Sequence, residues 1–86
     1  MDNVTMKVKV LLFAAVREAA GRDTLEIELR DEARVVDVID AVGKAVPSVA
    51  SLMPACRVAI DSCYASADAR VPATGEVALI PPVSGG

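Results

Sequence analysis

The apolar residues of this chain change period twice, and that change limits the folds open to it. Over residues 7–12 and again over 23–30, apolar and polar positions alternate, which is the period of a half-buried strand. Val8, Val10 and Leu12 share one face of the first run, and Leu25, Ile27 and Leu29 one face of the second. Over residues 35–46 the period becomes helical, with Val35, Val38, Ile39, Val42 and Val46 on a single side. It then returns to two over residues 57–61 and 76–80, where Val58, Ile60, Val77 and Leu79 point inward. Strands on either side of one amphipathic helix describe an α+β domain with that helix laid across one face of a sheet.

Between the first two runs, residues 14–20 are good helix formers, and Gly21 stands where a left-handed C-cap is wanted. The pair therefore reads as a wide antiparallel hairpin with a short helix in its connection. The main helix has a poor N-cap, since Ala33 or Arg34 occupies the place that suits Ser, Thr or Asp. Asp37 in its first turn complements the helix dipole. Gly43 weakens the helix and Pro47 ends it, and a further short turn follows over residues 47–53, burying Val49 and Leu52. Residues 62–72 are ambiguous, with room for a short strand around Tyr64. The expected organisation is a loose tail over 1–5, a domain over 6–80, and an extended tail over 81–86.

At 86 residues there is one domain with one modest core. No run of apolar residues is long enough to span a membrane, and the first residues lack the basic-then-apolar order of an export signal. A net charge of −3 does not suit phosphate backbones, so neither nucleic acid nor membrane is expected as a partner, and the expected location is cytoplasmic. The chain has no histidine and only two cysteines, Cys56 and Cys63, outside any CxxC. Metal ligation, Ser-His or Cys-His catalysis and a disulfide framework are accordingly not expected. Both cysteines read as small buried hydrophobes, and Glu26, Glu28, Asp31 and Glu32 as a solvated edge.

Two features remain for function. On the parity opposite to the core lie Leu11, Phe13, Ala59, Ala78 and Ile80, where a solvated sheet face would be polar. If the first and last strands are neighbours, these residues make an apolar patch of the kind that marks a partner site. The second feature is the ending Ile80-Pro81-Pro82-Val83-Ser84-Gly85-Gly86. Pro81 and Pro82 stop the strand at Ile80, and the tail beyond can reach at most about 20 Å. Gly85 and Gly86 carry no side chain, can thread a narrow channel, and leave the terminal carboxylate open to attack. Activated by ATP as an acyl-adenylate and displaced by sulfur, that carboxylate becomes a thiocarboxylate. The acid–base groups for such steps would belong to another protein.

Residues 8–18 (Val8 to Glu18), Val58-Ala59-Ile60, and residues 76–86 (Glu76 to Gly86) together resemble the small subunits of molybdopterin synthase, the sulfur carriers of molybdenum cofactor synthesis. The resemblance covers nearly the whole chain from Met6. It implies a ubiquitin-like β-grasp fold, a mixed sheet with one main helix across one face and a flexible C-terminal tail. It also implies a carrier that is not an enzyme by itself and holds no permanent cofactor. ATP would be consumed by an E1-like adenylyltransferase, and a sulfurtransferase would load the tail. The tail would enter the large catalytic subunit of a heterotetramer and give sulfur to cyclic pyranopterin monophosphate, forming the dithiolene.

Carried to matching positions, Gly86 bears the sulfur and Gly85 accompanies it, with Pro81, Pro82, Val83 and Ser84 as the threading lead. Phe13 and Ile80 match apolar contacts to the large subunit, Tyr64 is a third candidate, and Arg17 matches a basic position near the docking surface. The chain departs from the family at Asp61, where Asn is usual, and at Ala73-Thr74-Gly75 before Glu76, which puts the E1-like contact there in question. Two other readings stay open: a sulfur carrier for thiamine or another pathway, and a ubiquitin-like modifier joined to lysines.

Overall fold

The computed structural model describes residues 5–72 and 76–81. Strand β1 (Thr5–Leu12) leads through helix α1 (Ala14–Ala20) into β2 (Thr24–Arg30), then helix α2 (Val35–Ala45). A 3₁₀ segment (Pro47–Ala55) follows, and then strands β3 (Arg57–Ile60), β4 (Cys63–Ala65) and β5 (Val77–Ile80). The five strands form one sheet in the order β2-β1-β5-β3-β4. The β1–β5 pair is parallel and the other three are antiparallel, so the sheet is mixed. The last strand to be made thus sits at the centre, between the first strand and the third.

The expected wide hairpin is present, with β1 and β2 paired from Thr5↔Arg30 to Leu11↔Thr24. Strand β1 begins at Thr5, inside the span expected to be loose. On the outer face Lys7 lies opposite Glu28 and Lys9 opposite Glu26; opposite charges in register favour this pairing. Gly21 caps α1 with φ 75, its N–H donating to the Arg17 carbonyl at 2.9 Å. A residue with a β-carbon at that φ would be strained.

Helix α2 lies against the sheet by the face that its period marks, with Val35, Val38 and Val42 buried. Arg34 is the N-cap, and its guanidinium cannot accept a hydrogen bond. The cap works from the other side, the Arg34 backbone N–H donating to the Asp37 carboxylate at 2.8 Å. Asp37 therefore does more than complement the dipole. The segment after Pro47 extends to Ala55 and buries Val49 and Met53, while Leu52 is half-buried. The expected burial of Leu52 is corrected in favour of Met53. Val49 and Met53, four residues apart, are the buried pair, and Met53 packs into the gap over Gly43. A β-carbon on Gly43 would stand 3.3 Å from the Met53 Cγ.

The core joins Val8, Val10 and Leu12 of β1, Leu25, Ile27 and Leu29 of β2, and Val58, Val77 and Leu79 of the other strands to α2 and Val49. No polar or charged residue is buried among the described residues.

Candidate docking face and carrier tail

The sheet face away from α2 carries the candidate site. Register pairs Thr24 with Leu11, Leu11 with Ala78, Ala78 with Ala59, and Ala59 with Tyr64. These five residues make one row across all five strands. Its middle is built from two alanines, 6% and 8% exposed, although they face away from the core. They are covered from the sides. Phe13 stands at the end of β1, Ile80 at the end of β5, and Tyr64 on β4, and with Ser62 and Glu76 they line a groove of about 290 Å³ whose floor is Ala59 and Ala78. Phe13 is 43% and Tyr64 64% exposed, an open presentation for large apolar side chains.

Local structure explains why each wall stands where it does. Phe13 precedes Ala14, which has φ 49, a left-handed angle that costs an alanine about 1 kcal/mol. That turn swings the chain from β1 into α1, and the Phe13 carbonyl accepts from the N–H groups of Val16 and Arg17 at 3.1 and 3.2 Å. Phe13 is thereby fixed as the N-cap residue of α1, with its ring outside the core. Tyr64 is steadied by the Arg57 guanidinium, 5.6 Å from the ring centroid.

The structure brings together Phe13 and Ile80, which parity set on one face, and adds Tyr64, the third candidate from the resemblance. Pro81 is buried directly after β5, and β5 ends at Ile80 as its prolines require. Arg17 is not among the lining residues; it lies on α1 with its Nε 3.9 Å from an Asp23 carboxylate oxygen, both side chains exposed. An exposed pair at that distance holds little energy. Leu11 belongs to the row but not to the groove lining. Pro82, Val83, Ser84, Gly85 and Gly86 lie outside the described residues, as do Ala73, Thr74 and Gly75. Sequence reasoning missed Ser62 and Glu76 as lining residues. Their signal would have been the hairpin turn at Asp61-Ser62, which only the pairing of β3 with β4 reveals.

The cysteines divide. Cys56 is buried and its thiol donates to the Leu52 carbonyl at 3.2 Å, and burial pushes its pKa up. Cys63 is exposed on β4, so the expectation of two buried cysteines holds for Cys56 alone. Cys63 pairs with Ile60 on the parity of the core, but as the first residue of the edge strand β4 it stays exposed.

A model of the ThiS family matches residues 10–86. The chain belongs to the ThiS family. This ThiS-family chain is 40% identical over 83 residues to the molybdopterin synthase sulfur carrier subunit of Chlamydomonas reinhardtii, covering 94% of this chain and 100% of the relative. It is 36% identical over 81 residues to the subunit of the same name from Dictyostelium discoideum, covering 91% and 94%. The resemblance read from the sequence is borne out. Among solved structures, the small archaeal modifier protein 1 of Haloferax volcanii superposes with a TM-score of 0.80 at 29% identity, covering 91% of this chain and 99% of that one. The fold is the ubiquitin-like β-grasp that the resemblance implied. Among the described residues, no helix is long and apolar enough to cross a membrane.

Proposed function

We propose that this chain is the sulfur carrier of a molybdopterin synthase, acting in the cytoplasm, with Gly86 as the residue that bears the sulfur. The observation that carries the reading is the groove walled by Phe13, Tyr64 and Ile80, from whose Ile80 end the Pro-Pro-Val-Ser-Gly-Gly segment continues. A partner seated in the groove would hold the root of that segment and leave its end to reach into the partner's own site. The names of the sequence relatives support molybdopterin as the pathway.

In this reading the Gly86 carboxylate attacks the α-phosphate of ATP on an E1-like enzyme, releasing pyrophosphate and giving an acyl-adenylate. The persulfide sulfur of a sulfurtransferase then attacks the acyl carbon and displaces AMP, and a thiol reduces the resulting acyl disulfide, releasing the sulfurtransferase as its thiol and leaving the thiocarboxylate. With the chain docked on the large subunit, Gly85 and Gly86 occupy a narrow channel and the sulfur passes to cyclic pyranopterin monophosphate. Two such deliveries make the dithiolene, in a heterotetramer of two small and two large subunits. The chain itself supplies a carrier atom and a docking face, and the proton transfers belong to its partners.

The likeness to a small archaeal modifier protein favours one second reading, in which the same adenylate is attacked by a lysine amine to give an isopeptide bond. The intact mass of the untagged protein from its native cells separates the two. Sulfur in place of one terminal oxygen, localised to Gly86, supports the carrier. Carboxylate together with lysine-linked conjugates overturns it in favour of the modifier.

A further inference from the structure

The polar end of the groove is held in an unusual way. Ile60 pairs with Cys63, so Asp61 and Ser62 form a two-residue turn between β3 and β4, with φ 51 and 72. Both angles are left-handed. Asp tolerates that region, but Ser fits it poorly, and Asn-Gly is the sequence such turns favour. The turn is fastened from outside. The Asp61 N–H donates to the Glu76 carbonyl at 2.8 Å, and the Glu76 N–H donates to the Asp61 Oδ1 at 2.9 Å.

These two bonds tie the β3–β4 turn to the residue that leads into β5, so Ser62 and Glu76 face the groove from backbones locked to each other. Among the described residues lining the groove, Glu76 alone is formally charged. A partner that covers the groove takes that carboxylate out of water, which is unfavourable unless a cation meets it.

We infer that Asp61 is a positioning residue for the docking groove: its clasp on Glu76 sets one carboxylate at the polar end, and the groove is therefore specific for an apolar side chain flanked by a lysine or arginine. The inference rests on the reading of this groove as the seat of the large subunit. It adds the chemistry by which that subunit is recognised. Asp61 touches no reacting group and acts only through Glu76.

The test is a double-mutant cycle read as affinity for the large subunit of a molybdopterin synthase, with the full chain, at low and at high salt. Glu76→Gln is expected to weaken binding about tenfold at low salt and to flatten the salt dependence, as loss of a charge pair does. Asp61→Ala is expected to do the same. The double variant should bind no more weakly than either single one, because both remove one interaction. Asp61→Asn keeps the accepting oxygen and should stay within about twofold of the unaltered chain.

Losses that multiply in the double variant would overturn the inference, as would unchanged affinity and salt dependence in Glu76→Gln. An Asp61→Asn chain as weak as Asp61→Ala would overturn the clasp. Should Asp61→Ala fail to fold, Glu76→Gln and Asp61→Asn are nearly isosteric and decide the matter between them. If the unaltered chain does not bind the large subunit, the proposed function falls and this inference with it. If it binds and the cycle fails, only the inference falls.

Discussion

Phe13 and Cys56 show how much a single residue's place depends on which face it meets. Both are apolar in character and both follow or precede a strand, yet Phe13 is exposed and Cys56 is packed inside. Phe13→Asp should therefore cost little in stability, within about 1 kcal/mol as for an ordinary surface change. In the groove it places a charge where a partner would be apolar, and affinity for the large subunit should fall at least about tenfold. A thermal melt beside a binding isotherm checks both. An unchanged isotherm would return Phe13 to a purely structural role.

Cys56 lies where burial acts on its thiol. Burial raises its folded-state pKa above the unfolded value, so the native state holds the proton longer than the unfolded chain does. The stability this lends is fully present below the ordinary thiol pKa and is lost as pH rises through the folded value, so the protein should weaken above about pH 8.5. Thiol labelling of the native protein near pH 8 should modify Cys63 quickly and Cys56 only on unfolding. Equal rates would contradict the burial.

At the scale of elements, α2 and the segment after it are adjusted to each other. Gly43 is a weak helix residue, and its value lies in the room it gives Met53. Gly43→Ala sets a helix-propensity gain of about 1 kcal/mol against a contact of 3.3 Å with the Met53 Cγ. Met53 is unbranched and can give by a few tenths of an ångström, and Ala50 stands at ordinary distance. The helix gain should win, and denaturant unfolding should show a net stabilisation of about 0.5 kcal/mol. A lower midpoint would mean that the 3₁₀ segment cannot shift. The N-terminus of α2 makes a related point: Asp37, chosen by the sequence for its charge, serves as a cap because the Arg34 N–H turns back to it.

For the whole molecule, the sheet order matters most. Placing β5 between β1 and β3 brings Phe13, Ile80 and Tyr64 to one face, where they wall the groove, and Pro81 follows Ile80 directly in the chain. The domain and the segment beyond Pro81 then have separate tasks, docking and delivery. A chain extended past Gly86 by even one residue should melt at the same temperature, within about 2 °C, since no described core residue is touched. It should form no thiocarboxylate and support no molybdopterin synthesis. Full activity in an uncleaved, C-terminally extended protein would sink the carrier mechanism.

The sequence by itself determined the strands other than β4, the main helix and most of the core, because burial of a face is written in local period: Val8, Val10 and Leu12 at two, Val35, Val38 and Val42 at 3.6. It also marked Phe13 and Ile80, as apolar residues on the wrong parity, and the Gly85-Gly86 ending. What it could not determine depends on residues distant in the chain. Whether Phe13 and Ile80 share a face rests on the parallel pairing of β1 with β5. That Met53 and not Leu52 is buried depends on the gap that Gly43 leaves on α2. Ser62 and Glu76 became part of the groove only when Asp61 joined the β3–β4 turn to the start of β5. Period is a property of neighbours in sequence, whereas strand order and the bonds between turns are fixed by packing the whole sheet around one core.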